Sequence, residues 1–200
     1  MKDVVGICGL IGSGKGTVGD ILVDEFGYTK LSFADKLKDG VASIFDWDRE
    51  MLEGATKESR EWREVTDAYW TSETGFEVTP RLVLQLFGTD CMRNGFFDGV
   101  WVSLVKKTII DNPGKKFVLP DVRFENEMQA IKDVNGEIWQ VRRGELPAWF
   151  TQRRDNGGAV ANVHPSEWEW ILPDSNYDLI INNNSTIEYL YSTVQASITA

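Results

Sequence analysis

Sulfur and imidazole are scarce in this chain: two cysteines, Cys8 and Cys91, and one histidine, His164, occur in 200 residues. That excludes a disulfide framework, a four-cysteine zinc site and a multi-histidine metal centre, and it fits a reducing cytosol. Basic charge is also short. Lys plus Arg is 21 against 31 for Asp plus Glu, a formal net charge of −10. A polymer nucleic acid or an anionic membrane surface calls for the opposite sign, so stable nucleic-acid binding is not expected. A small anion needs only a local basic cluster and stays open. No run of about 18 apolar residues exists to span a membrane. The start, Met1 to Gly12, superficially resembles a signal peptide, but Asp3 sits at its front, glycines interrupt it and a Gly/Lys loop follows where a cleavage site should lie, so a strand is expected there. No internal repeat is present. The length suits one domain, or one with an inserted subdomain, able to bury a core unaided.

What is present is an alternation of short apolar runs and amphipathic helices. Strands are expected at Val4–Cys8, Tyr28–Phe33, Lys116–Asp121, Glu137–Val141 and Tyr177–Asn182. Between them lie helices over Lys15–Phe26 with Gly27 as C-cap, Ala34–Phe45, Gly99–Asp111 and Glu125–Val134. Thr79-Pro80 opens another, and a capping box at Ser185–Glu188 opens the last. This pattern predicts a three-layer α/β fold, a mostly parallel five-stranded sheet with helices on both faces. Residues 46–112, rich in charge and containing Trp47, Trp62 and Trp70, read as a helical insertion. Residues 143–165 read as a lid loop, with Arg142, Arg143, Arg153 and Arg154 in or beside it.

The first strand runs into Gly9-Leu10-Ile11-Gly12-Ser13-Gly14-Lys15-Gly16-Thr17, which has P-loop spacing. Glycines let backbone amides turn toward one point, and the helix N-terminus adds unpaired N–H groups and a positive dipole end. Lys15 supplies the mobile charge for β- and γ-phosphates. A plain glycine-rich turn explains the glycines but not the lysine. Gly12, Ser13, Gly14, Lys15, Gly16 and Thr17 are therefore the expected ATP-phosphate cradle. Gly16 stands where such loops usually carry the magnesium-ligating hydroxyl, which comes one residue later at Thr17. Downstream, Pro120-Asp121-Val122-Arg123 lies at a strand's C-terminal end, the edge where open parallel sheets bind ligands. A hydrolytic ATPase would often place glutamate directly after the strand-end acid; here it is Val122.

Five blocks together resemble the deoxynucleoside monophosphate kinases of tailed bacteriophages. They are the P-loop; Phe33-Ala34-Asp35-Lys36-Leu37-Lys38; Arg81 through Leu84-Gln85-Leu86-Phe87-Gly88-Thr89-Asp90 to Arg93 and Trp101; Pro120-Asp121-Val122-Arg123 with Glu127; and His164-Pro165-Ser166-Glu167 with Asp178–Asn183. The resemblance implies a cytoplasmic enzyme, in the host cell if phage-encoded. It would transfer the ATP γ-phosphoryl group, with Mg²⁺, to a deoxynucleoside monophosphate, supplying DNA precursors. It also allows a homodimer. It implies that Lys38, Arg60, Arg81, Gly88, Thr89, Arg93, Trp101, Asp121, Arg123 and Glu127 surround the acceptor.

Lys15, Asp121, Arg123 and Arg142 are the expected catalytic group, with Thr17 and Asp121 as magnesium ligands. Trp101 is expected to stack on or wall the acceptor base. Each has a plainer reading: solvent-facing salt bridges for the arginines, helix capping for Asp121, a helix-surface position for Glu127 and core packing for Trp101. His164 is read as structural, fixing the lid, and the cysteines as packing residues. A dephospho-coenzyme A kinase-like enzyme and a nucleotide-binding switch without an acceptor are the alternatives.

Overall fold

A computed structural model describes residues 3–163 and 165–199. The role read for His164 falls outside the described residues. In chain order the elements are β1 (Val4–Cys8), α1 (Lys15–Phe26), β2 (Thr29–Lys30), α2 (Asp35–Phe45), α3 (Arg49–Glu53), α4 (Lys57–Trp62), α5 (Ala68–Thr74) and α6 (Pro80–Gln85). A π-helix (Leu86–Asn94) continues α6. Then come α7 (Val100–Ile110), β3 (Phe117–Leu119), α8 (Glu125–Asp133), β4 (Glu137–Arg142), α9 (Ala148–Asn156), α10 (Pro165–Trp168), β5 (Leu179–Asn182) and α11 (Ile187–Thr199). The chain divides into two compact units: residues 1–32 with 105–200, and Phe33–Leu104.

The first unit holds a five-stranded sheet in the order β2-β3-β1-β4-β5, with every pair parallel. The expected α/β architecture is therefore present. β1 is buried throughout because both of its faces are covered. Val5 and Ile7 pack with Val18, Ile21 and Leu22 of α1 and with Leu190, Val194 and Ile198 of α11. On the opposite face Gly6 admits α8 so closely that a Cβ would lie 2.3 Å from Ile131 Cδ1. All strands run the same way, so their C-terminal ends, and the loops after them, share one edge.

Several boundaries differ from the sequence pattern for local reasons. β2 is only two residues long: the Tyr28 N–H is spent on Leu22 O, closing α1, and beyond Lys30 the Leu31 N–H still donates to Val118 O at 2.9 Å. β3 stops at Leu119, since Pro120 has no N–H to continue the ladder. The last helix is capped by Thr186 rather than Ser185, its Oγ1 accepting the Tyr189 N–H at 3.3 Å. The segment expected to be a lid loop contains a helix, α9. It forms because Phe150 is buried against Trp170, ring centroids 5.9 Å apart, and Gly157 ends it in the left-handed region at φ +69°.

The second unit packs short helices on one apolar cluster of Val41, Leu52, Val78 and Val83 with Trp47, Trp62 and Trp70 around it. Trp47 stacks on Phe45 at 4.8 Å and meets Trp62 edge-on at 6.1 Å. The tryptophans of this charged stretch thus pack, partly buried, against its core. The Trp47 indole N–H donates to Asp67, which also caps α5.

Gly6→Ala is expected to lose about 1–3 kcal/mol of stability through overpacking. Ile131→Val in the same chain removes the clashing Cδ1. The double variant should therefore unfold in urea at a higher midpoint than additive costs would give; strict additivity would contradict the close approach.

Candidate active site

The turn after β1 is shaped by glycines that nothing else can replace. At Gly9 a Cβ would sit 2.4 Å from Val141 O, and at Gly14, with φ +101°, 2.3 Å from Asn183 Nδ2. Gly14 is the N-cap of α1 and brings no side-chain cap. The first N–H groups of α1 are thus left for an outside acceptor. Lys15 folds over this turn, its Nζ donating to Gly9 O at 2.6 Å and Leu10 O at 2.8 Å. Burial, and then the Arg123 guanidinium, hold its ammonium below the ordinary lysine range, while Cys8, Glu167 and Asp121 act the other way. Ser13 is buried, Gly12 exposed, and Gly16 and Thr17 stand exposed on the first turn of α1.

At the end of β3, Asp121 Oδ2 accepts the Ser32 hydroxyl at 2.5 Å. Arg123 Nη1 donates to Glu167 Oε1 at 3.1 Å. Lys15, Asp121, Arg123 and Glu167 thus share one neighbourhood in the first unit, acids and bases alternating. Glu127 differs from its expected role as a substrate contact. It is 4% exposed, and its Oε2 accepts the Arg123 N–H at 2.7 Å and the Phe124 N–H at 3.2 Å. Its carboxylate is committed to the first turn of α8, where it fixes the backbone that carries Arg123.

Arg142, at the end of β4, does not swing free at the mouth of a lid. Both Nη atoms reach the Asp174 carboxylate, Nε donates to buried Gln140, and the guanidinium lies 5.8 Å over the Phe150 ring. Asp174 is held below the usual carboxylate range, first by that hydrogen bond from Arg142. Cys8 is buried, and burial pushes its thiol well up, so it packs rather than reacts.

The second unit carries the other expected residues. Lys38 is buried with Nζ 2.7 Å from Glu53 Oε1. Burial alone would raise the Glu53 carboxyl, but hydrogen bonds from Lys38 and Arg49 outweigh it and hold it low. Arg60 donates to Gly54 O at 3.4 Å and Ala55 O at 2.9 Å, covering carbonyls after α3. Arg81 is paired with Glu64 and half-exposed. Thr89 is exposed and Arg93 half-buried on the π-helix, where Gly88 is buried close against Leu37. Trp101 is 6% exposed, and its indole N–H donates to Gly88 O at 3.0 Å. A ring so covered offers no open face for stacking; it braces the backbone at Gly88 instead.

Arg63 escaped the sequence reading. Its guanidinium lies against Gly54, where a Cβ would come within 2.2 Å of Nη2, and its Nε is buried without a hydrogen-bond partner among the described residues. Burial first, and Arg81 next, lower its pKa. A cation in that setting gains from an anion. The only sequence signal was its position one helical turn after Arg60.

The deoxynucleotide monophosphate kinase family matches residues 47–194. The chain belongs to this family. A protein of Acanthamoeba polyphaga mimivirus bearing the family's name is 32% identical over 203 residues, covering 96% of this chain and 93% of that one. The deoxynucleotide monophosphate kinase of Enterobacteria phage T4 is 25% identical over 164 residues, 80% of this chain and 61% of its own length. Among solved structures, a dephospho-CoA kinase from Campylobacter jejuni is similar with a TM-score of 0.49 and 15% identity, covering 99% of this chain and 96% of that one. In this kinase-family chain no described helix is long and apolar enough to cross a membrane.

Replacing Glu127 by Ala removes the acceptor of the Arg123 and Phe124 N–H groups at the partly buried approach to α8. The kinase-family chain should lose about 1–3 kcal/mol in urea unfolding, whereas Glu125→Ala on the same turn should change little. Equal effects would return Glu127 to the helix surface.

Proposed function

We propose that the chain transfers the γ-phosphoryl group of ATP to a deoxynucleoside monophosphate, giving ADP and the deoxynucleoside diphosphate in the host-cell cytoplasm. The observation that carries this is the uncapped glycine turn at the start of α1 with Lys15 folded over it and Arg123 beside it. Main-chain N–H groups and an ammonium suit the donor's β- and γ-phosphates. Lys15 can exchange its two carbonyl partners for phosphate oxygens by rotating about its own side chain.

The acceptor is a phosphate whose second pKa is about 6, so it is ionised at neutral pH and needs no general base. One of its oxygens attacks the γ-phosphorus as the bond to the β,γ-bridging oxygen breaks and ADP leaves. The residues' task is to hold two anions and neutralise them. Arg123 serves the transferring group, with Arg142 as a second guanidinium once it exchanges Asp174 for phosphate. Arg63, Arg81 and Arg93 serve the acceptor phosphate, and Lys38, Gly88 and Thr89 the remainder of the monophosphate. Trp101 supports Gly88, and Glu127 supports Arg123. One carboxylate, Asp121, and the hydroxyl of Thr17 form a sparse oxygen set of the kind that suits Mg²⁺ held largely through phosphates. Bound there, Mg²⁺ would neutralise charge on the phosphate oxygens.

A coupled assay of ATP with each of the four deoxynucleoside monophosphates tests the reading. At least one should drive ADP release, and Lys15→Ala should abolish it while leaving the far-UV circular dichroism unchanged. ATP hydrolysis indifferent to every monophosphate would instead support a nucleotide-binding switch.

Arg63→Ala should raise the KM for the monophosphate about tenfold or more, the worth of a charge-assisted hydrogen bond. It should leave the KM for ATP nearly unchanged. Arg60→Ala, which removes only carbonyl contacts, should do less; the reverse order would move the acceptor role to Arg60.

A further inference from the structure

The turn after β5 reaches back to the glycine loop. Asn183 Nδ2 donates to the Ser13 carbonyl at 2.9 Å, across 170 positions of sequence. The same residue's N–H donates to Arg142 O at 2.7 Å, and Asn184 Oδ1 accepts the Gly144 N–H at 2.6 Å. Two adjacent asparagines therefore anchor the phosphate loop to the end of β4 and to the chain just beyond it.

The consequence lies in the peptide between Ser13 and Gly14. Its carbonyl and its N–H are opposite ends of one trans plane and point in opposite directions. Holding the Ser13 carbonyl toward Asn183 aims the Gly14 N–H away from Asn183. That N–H has no hydrogen-bond acceptor among the described residues. The fit is close, since a Cβ on Gly14 would fall 2.3 Å from the same amide nitrogen. The Ser13 hydroxyl, buried and without a partner among the described residues, does not share the work.

We infer that Asn183 is a positioning residue for the phosphoryl donor: through its amide it sets the orientation of the Gly14 N–H that receives an ATP phosphate. This rests on the kinase reading above. Asn183 contributes no charge and touches no substrate; it fixes in advance a donor that would otherwise have to reorient on binding.

The test is ATP affinity by titration calorimetry, with steady-state kinetics, for wild type, Asn183→Ala and Asn183→Asp. Thermal unfolding without nucleotide serves as the check on the fold. Asn183→Ala should weaken ATP binding about tenfold, the scale of one lost hydrogen bond plus a freed peptide, and move the monophosphate KM less than about twofold. Asn183→Asp keeps the volume but turns a carboxylate toward the Ser13 carbonyl, so it should bind ATP more weakly than Asn183→Ala; a packing role would rank them the other way. If Asn183→Ala does not fold, the isosteric variant alone decides, by whether ATP affinity falls while the monophosphate KM holds. Wild-type affinity in the folded variants, or an equal rise in both KM values, overturns the inference alone. Failure of wild type itself to bind ATP overturns the kinase reading and this one with it.

Discussion

β1 is hydrogen-bonded on both sides, to β3 from Val4 to Gly6 and to β4 from Val5 to Cys8, and is buried on both faces. It cannot slide or twist without breaking two ladders and two packed layers at once. The glycine turn begins where β1 ends, Asp121 follows the end of β3, and Arg142 closes β4. Their spacing is therefore inherited from strand register rather than from loop contacts. A parallel sheet of this kind must be covered on both faces, and here the cover comes from α1 and α11 on one face and α8 on the other.

Within each unit several cations are occupied by carboxylates. Lys38 holds Glu53, Arg81 holds Glu64, Arg123 holds Glu167 and Arg142 holds Asp174. Of these, Arg81–Glu64 is exposed on both sides; such a pair is worth little, about 0–1 kcal/mol, so exchanging its carboxylate for a phosphate oxygen costs little. Arg63 differs from these, a guanidinium with a buried Nε that has no hydrogen-bond partner among the described residues. The excess of acid in the composition thus coexists with anion sites, because charge is balanced pair by pair and not on average.

The layered fold could be read from the sequence because buried parallel strands are continuous apolar runs and helices carry a separate period; Val4–Cys8 and Lys15–Phe26 coincide with their elements to the residue. The glycine turn was equally plain, since its conformation demands glycine at fixed places. What escaped was decided by contacts that no sequence period announces, some local and some distant. Glu127 looks like any helix-surface acid until α8 is placed and its first N–H groups need an acceptor. Trp101 reads as a candidate base wall until its indole N–H is seen on Gly88. Arg63 showed only its place one turn after Arg60, and Asn183 only its place at the end of the last family block: one gains its meaning from Gly54, the other from Ser13. α9 was hidden because polar residues and Gly157-Gly158 obscured the single buried Phe150.

The π-helix from Leu86 to Asn94 widens the coil by about one residue per turn relative to its α-helical lead-in. Loss of one residue there would let the segment tighten into an ordinary α-helix. The side chains beyond it would keep roughly their directions, because the wide coil absorbs the extra residue, and those inside it would turn. Thr89 and Arg93 would present different directions with no substitution at either position. A residue gained or lost in this stretch would thus re-aim Thr89 and Arg93, while the sheet and the glycine turn remain as they are.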